Sequence, residues 1–244
     1  VPQLANAPSI PLGTGIYARV EAAQLLGISP DRLRRWVGGY TYWLREATGT
    51  ERRRRRQAAV VRTELPAVGR AQALSFLELM ELRVVRALIE QGVTLQHVRR
   101  AAQLASERFD TRHPFASRRV FTDGQYVFSA VSEELAAPNV VKWTAAEIDQ
   151  VVAGPVFDQF LSEIEFDATT ALARRWWPKG RTVPVVLDPS IGFGAPIVAG
   201  TAIRTSSIAR MARASSIRDA AVAYEIDMRQ AESAIAFEAE LAAA

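Results

Sequence analysis

"YARVEAAQLLGISPDRLRRW" occupies residues 17–36, and its reading decides the fold. The Gly27-Ile28-Ser29-Pro30 step separates two short helices. Ser29 is a good N-cap, and Pro30 suits the first helical position because the N–H it lacks would have no partner there. Beyond it, Leu33, Trp36 and Val37 recur at i, i+3 and i+4, which predicts one buried face packed on Val20, Ala23 and Leu26. Arg35 then points away from that face, flanked by Arg32 and Arg34. The pattern fits an ordinary helical hairpin, and it equally fits a helix with one side anchored and the other offering guanidinium forks to a groove.

Charge favours the second reading. The net charge is only +4, but residues 1–110 hold 17 arginines and 10 acids, while residues 111–244 hold 13 bases and 16 acids. A cationic leading half implies a polyanionic partner for that half. "GGYTYWLREATGTERRRRRQAAVVRTELP" (38–66) predicts two short strands around a basic tip, Arg52 to Arg56, with Tyr40, Tyr42 and Trp43 between the two basic elements. Like charges so crowded repel unless an anion screens them.

Residues 1–15 are punctuated by Pro and Gly and read as a loose arm. "ALSFLELMELRVVRALIEQ" (73–91) is a helix with apolar residues on two faces, so it is buried centrally or forms a seam with a second subunit. Thr94 caps the next helix. Asp123-Gly124 within "RRVFTDGQYVF" (118–128) predicts a β-hairpin, followed by helices near 144–153 and 155–165. "WWPKGRTVP" (176–184) reads as a linker. After it come a strand, "VVLDP", a Gly/Pro loop, "SIGFGAP", a second strand within "IVAGTAI", and three helices. Ile217, Ala220, Ala221 and Tyr224 share one face, and Asp227 with Gln230 makes a capping box for the last helix.

These residues carry two resemblances. "YARVEAAQLLGISPDRLRRW" resembles the helix–turn–helix of MerR-type winged-helix regulators, and "LMELRVVRALIEQGVTLQHVRRA" (79–101) resembles their second helical pair. The wing is longer and more basic than usual, and no long dimer helix or effector domain follows. "VVLDPSIGFGAPIVAGTAIRTSSIARMARASSIRDAAVAYEIDMRQAESAIAFE" (185–238) resembles a small domain of bacterial toxin–antitoxin loci. Asp188-Pro189, Gly194-Ala195-Pro196 and Gly200-Thr201-Ala202-Ile203 match its hallmarks. The resemblance implies a VapB-type antitoxin that neutralises a PIN-domain ribonuclease and, with that toxin, represses its own operon. Double-stranded operator DNA and the toxin are then the partners, with a homodimer on a palindrome and a hetero-oligomer with the toxin as the natural assemblies. A free-standing MerR-like transcription regulator is the main alternative, and an adaptor whose helices only pack is a third.

The expected DNA contacts are Ser29, Arg32, Arg34, Arg35, Tyr40, Tyr42, Arg52, Arg53, Arg54, Arg55 and Arg56. The expected toxin contacts are Arg204, Arg210, Arg213, Arg218, Trp176 and Trp177. The final helix is net acidic, so this second helix–turn–helix reads as a protein-contact unit rather than a DNA reader.

Catalysis is not expected. Gly13-Thr14-Gly15 and Gly192-Phe193-Gly194 lack the Lys-Ser/Thr of a P-loop and the spacing of a dinucleotide fingerprint. His97, expected on a polar helix face, and His113 have no ligand spacing to another His or Cys, and the chain has no cysteine. Only 56 residues follow Asp188, too few for a PIN nuclease domain. No metal or cofactor is therefore expected. No apolar run approaches the ~20 residues that span a bilayer, and no signal-peptide pattern opens the chain, so a cytoplasmic setting with no membrane partner is expected. The expected fold is mainly α with short β-hairpins: an arm (1–15), a MerR-like winged helix (16–115), a mixed hairpin and helical region (116–182), and a C-terminal β-hairpin plus three-helix unit (183–244).

Overall fold

The computed structural model describes residues 13–45, 52–67, 72–122, 127, 131 and 155–243. It is mainly helical with small antiparallel sheets. A short strand β1 (Tyr17–Ala18) leads into α1 (Arg19–Leu26) and α2 (Pro30–Gly38). The hairpin β2 (Tyr40–Arg45) and β3 (Arg52–Gln57) follows, and β4 (Ala73–Leu74) returns to pair with β1. Next come α3 (Phe76–Glu90), α4 (Leu95–Phe109) and a 3-10 turn at Pro114–Ala116.

α3 is the central post. Ser75 caps it reciprocally with Glu78, each accepting a backbone N–H from the other's position. Its two apolar faces, including Phe76, Leu79, Met80, Leu82, Val84, Val85 and Leu88, are buried within the chain. The helix therefore has no exposed apolar seam of the kind the alternative reading required.

Three sequence expectations are corrected here. Residues 119–122 are helical, not a strand, and Val120, Val127 and Val131 are buried in the main core. Burying these three valines in the core overrides their β-propensity. Asp123-Gly124 and the predicted 144–153 helix lie outside the described residues. The arginine run is also not a tip: Arg52 to Arg56 are strand β3 itself. Finally, Trp176 ends a strand rather than opening a linker. After α5 (Pro155–Glu163), strands β5 (Ile164–Phe166), β6 (Ala173–Trp176), β7 (Val185–Leu187) and β8 (Pro196–Val198) form one antiparallel sheet in sequence order. That sheet crosses the 182/183 division drawn from sequence.

The chain ends in α6 (Thr205–Ala214), α7 (Ile217–Ala223) and α8 (Met228–Ala243), which pack on one another over a small core of Val198, Ile208, Ala220, Ala221, Ala231 and Ala234. The Asp227/Gln230 box is formed: each backbone N–H donates to the other side chain, at 3.0 and 2.7 Å. Ile217, by contrast, is 38% exposed rather than part of the buried face.

The front and back of the chain are bonded directly. Ile16 N donates to Phe193 O at 2.9 Å, next to a bond within the front half from Phe76 N to Thr14 O, also at 2.9 Å. Tyr17, fully buried, donates its hydroxyl to Gly194 O at 2.8 Å. Gly194 has φ +85°, and a Cβ there would stand 2.3 Å from the Tyr17 oxygen, so a residue without a side chain is required. Two turns further along α3, Arg83 pairs with Glu163 and lies 3.9 Å over the Phe160 ring. Burial lowers the Arg83 pKa to about 10 despite that carboxylate.

A second polar knot lies under α3. His113 is buried with Nδ1 3.1 Å from Glu81 Oε2 and Nε2 3.2 Å from Glu64 Oε2. Burial alone would lower its pKa, but the bond to Glu81 and the charges of Glu81 and Glu64 outweigh that and raise it. Burial pushes the Glu81 and Glu78 carboxyls up. All three shifts mean that the native state holds protons the unfolded chain releases, so stability falls as pH rises. The His113 contribution is complete below its ordinary value of 6.5 and is lost through its higher folded value. Melting followed from about pH 6 to about pH 9 should show a falling Tm, and His113→Gln should flatten the part of that slope above the imidazole range.

Candidate nucleic-acid interface

α1 ends at Gly27 in the left-handed conformation (φ +58°), and Ile28 N donates to Ala23 O at 3.0 Å, closing the turn. Ser29 caps α2, accepting Arg32 N at 3.3 Å. Ser29 therefore serves the helix backbone. Leu33, Trp36 and Val37 are buried as expected, against Ala22, Ala23 and Leu26. Val20 is 60% exposed, which corrects the predicted contact: α1 begins at Arg19, and its inward stripe is Ala22, Ala23 and Leu26. Arg86 of α3 donates to Leu26 O and fixes the pair of helices from behind.

Arg32, Arg34 and Arg35 are all exposed on the outer side of α2. Arg34 reaches Asp31 at 3.1 Å, but both side chains are largely exposed, so the pair restrains it weakly. Arg34 and Arg35, with Gly39, Tyr40, Thr41 and Tyr42, line a concavity of about 480 Å³ between α2 and the hairpin.

The hairpin is rooted on α2. Val60 N donates to Trp36 O at 2.7 Å, and Arg99 Nε of α4 donates to Ala58 O at 2.8 Å. Gly39 has φ +67°, and a Cβ there would lie 2.3 Å from Gln57 O, so the close approach of the two strand ends depends on this glycine. In the ribbon Tyr42 faces Arg55 and Trp43 faces Arg54. A strand sends successive side chains to opposite faces, so the arginine run is divided between two faces and like charges on one face stand roughly 7 Å apart. That spacing, with aromatic residues across the ladder, makes a strand of arginines tolerable. Trp43, 63% exposed, is absent from the sequence-based contacts; only the register reveals its place on the ribbon.

The expected toxin-facing residues are spread over the C-terminal third. Arg210 and Arg213 are exposed three residues apart on α6, and Arg218 is exposed on α7. Arg204 is exposed but donates to Gly192 O at 3.1 Å, steadying the loop before β8. Trp176 is buried in the core and Trp177 is half-buried under Arg181. Asp188 is also committed internally, accepting Arg175 Nε at 2.6 Å and Ser190 N at 2.9 Å. Burial would raise its pKa, but the Ser190 and Arg175 bonds hold the carboxyl below its usual range. Among the described residues, no helix is long and apolar enough to cross a membrane.

No family model matches the chain. A curated Mycobacterium tuberculosis protein described as "Putative antitoxin VapB45" is 27% identical over 203 residues, 79% of this chain and 80% of its own length. The chain is a distant homologue of that protein. The fold also matches the crystal structure of Rv2018 from Mycobacterium tuberculosis, with a TM-score of 0.68 and 23% identity, covering 93% of this chain and 98% of that one. At that identity the likeness bears on the fold alone.

Gly39→Ala should test the rooting of the ribbon. The strained φ and the clash with Gln57 O should cost about 2 kcal/mol or more, read as a fall in Tm with loss of strand signal.

Proposed function

We propose that this chain is the antitoxin of a PIN-domain ribonuclease, which it neutralises, and that it binds operator DNA to repress its own operon. The observation that carries the reading is the homology to VapB45 across four-fifths of both chains. The front of the molecule supports a DNA role: a rigidly backed α2 with three exposed arginines stands beside a ribbon bearing five more. Phosphate neutralisation supplies affinity, and guanidinium forks on α2 are suited to guanine edges in a major groove. The back supports a protein role. Arg210, Arg213 and Arg218 are exposed, and a nuclease that holds divalent cations with carboxylates offers them acidic partners.

Co-expression with the product of the neighbouring reading frame is the direct test. Co-purification and loss of its ribonuclease activity are expected. Replacing Arg204, Arg210, Arg213 and Arg218 together should abolish neutralisation and spare DNA binding. Operator binding without any toxin partner would favour the free-standing regulator.

DNA binding has its own measurement. Replacing Arg52 to Arg56 with glutamine should weaken binding to all duplexes alike and reduce the salt slope by about one unit for each arginine that meets a phosphate. An unchanged slope would remove the ribbon from the interface.

A further inference from the structure

The ribbon carries cationic side chains on both of its faces. By register, Tyr40, Tyr42, Arg53 and Arg55 share one face, and Thr41, Trp43, Arg54 and Arg56 share the other. The first face continues the surface of α2. Its two tyrosine rings lie 6.0 Å apart, are half-buried, and border the concavity that Arg34 and Arg35 complete. The second face points the opposite way. On it Trp43 is 63% exposed, Arg54 stands directly across the ladder, and Arg56 follows two residues on, roughly 7 Å along the strand. Among the described residues neither Arg54 nor Arg56 has a carboxylate partner.

An exposed indole beside two guanidinium groups that have no carboxylate partner among the described residues combines a flat apolar face with positive charge. It matches one class of ligand well. The π-face of an unstacked base packs on tryptophan without regard to sequence, and arginines at strand spacing meet the adjoining phosphates. A duplex keeps its bases stacked inside and offers no such face. A protein partner would need both an apolar contact and acids here; a nucleic-acid strand supplies a ring and charge at every step.

We propose that the Trp43–Arg54–Arg56 face is a second nucleic-acid site, which takes an unpaired strand while the Tyr42 face and α2 hold a duplex. The inference rests on the proposed DNA-binding role of the front of the molecule. Two sources share this chemistry, the melted strand of the chain's own promoter and a single-stranded RNA.

The test uses the full chain and fluorescence anisotropy with labelled oligo(dT) and oligo(U), each about 20 nucleotides, and a labelled operator duplex. Trp43→Ala should weaken single-strand binding about tenfold or more, as expected for loss of one stacked base, and change duplex affinity less than about twofold. Tyr42→Ala should do the reverse. The exposure of Trp43 makes a folding defect an unsuitable explanation, and an unchanged Tm checks this. Tighter binding of oligo(U) assigns the site to RNA, and of oligo(dT) to unpaired DNA. Single-strand affinity unmoved by Trp43→Ala overturns the proposal, as does an equal loss for duplex and single strand, which would make the ribbon one surface. Duplex binding without any single-strand binding defeats this inference alone. Failure to bind either defeats the DNA-binding reading with it.

Discussion

The arrangement depends on how a single buried tyrosine is held. Tyr17 sits where the first helix, the central helix α3 and the Gly192–Gly194 loop converge, and its hydroxyl has one partner, the Gly194 carbonyl. An unbonded phenol in that place would be expensive, so the bond requires the C-terminal loop to sit against the start of α1. The Ile16 N–H bond to Phe193 O makes this a two-point attachment to the loop, and Thr14 O, accepting Phe76 N, ties the same segment to α3. Gly15 is part of the same constraint, since a Cβ there would approach Phe76, Tyr17 and Pro189 at 3.1 to 3.3 Å. Two units that look independent in sequence are thereby parts of one packed body, with a core running from Tyr17 to Leu187.

That attachment bears on function. If the front binds DNA and the back a partner, as proposed, an unconstrained linker would let each act without the other. Here α1 touches α8 directly, and Tyr17 reaches the loop steadied by Arg204. A partner that shifts the Arg204–Gly192 contact would act on the backbone one residue from Phe193, which accepts the Ile16 N–H. The two surfaces are therefore mechanically close even though their arginines lie on different elements.

Much of this was legible in the sequence wherever the signal is local. Ser29, Thr94 and the Asp227/Gln230 pair each cap a helix because the donors they satisfy lie within three residues. The buried stripe of α2 follows from its spacing for the same reason. What failed was set by distant neighbours. The β-branched pattern of 118–128 read as a strand, yet Val120, Val127 and Val131 are helical residues buried in the main core. His97 is buried at the start of α4, with Nδ1 2.7 Å from Thr94 Oγ1, because its cap turns the first helical turn inward. Trp176 was read as linker because a strand of four residues beside Pro178 carries little pattern of its own; its pairing with Leu187 is made across eleven positions.

The arginine run shows the same limit from another side. Five like charges in a row read as a solvated tip, since nothing within the run opposes their repulsion. The opposing feature lies across the ladder and at the root. "YTYWL" supplies the partner strand, while Gly39, the Trp36 carbonyl and Arg99 fix where β2 begins and β3 ends. Once the run is a strand, alternation forces its charge onto two faces, and no choice of rotamer can gather it onto one. A protein that needed one basic surface would be better served by arginines at every second position. Five in succession give this ribbon a basic character on both sides, and on one of them Trp43 stands exposed among the arginines.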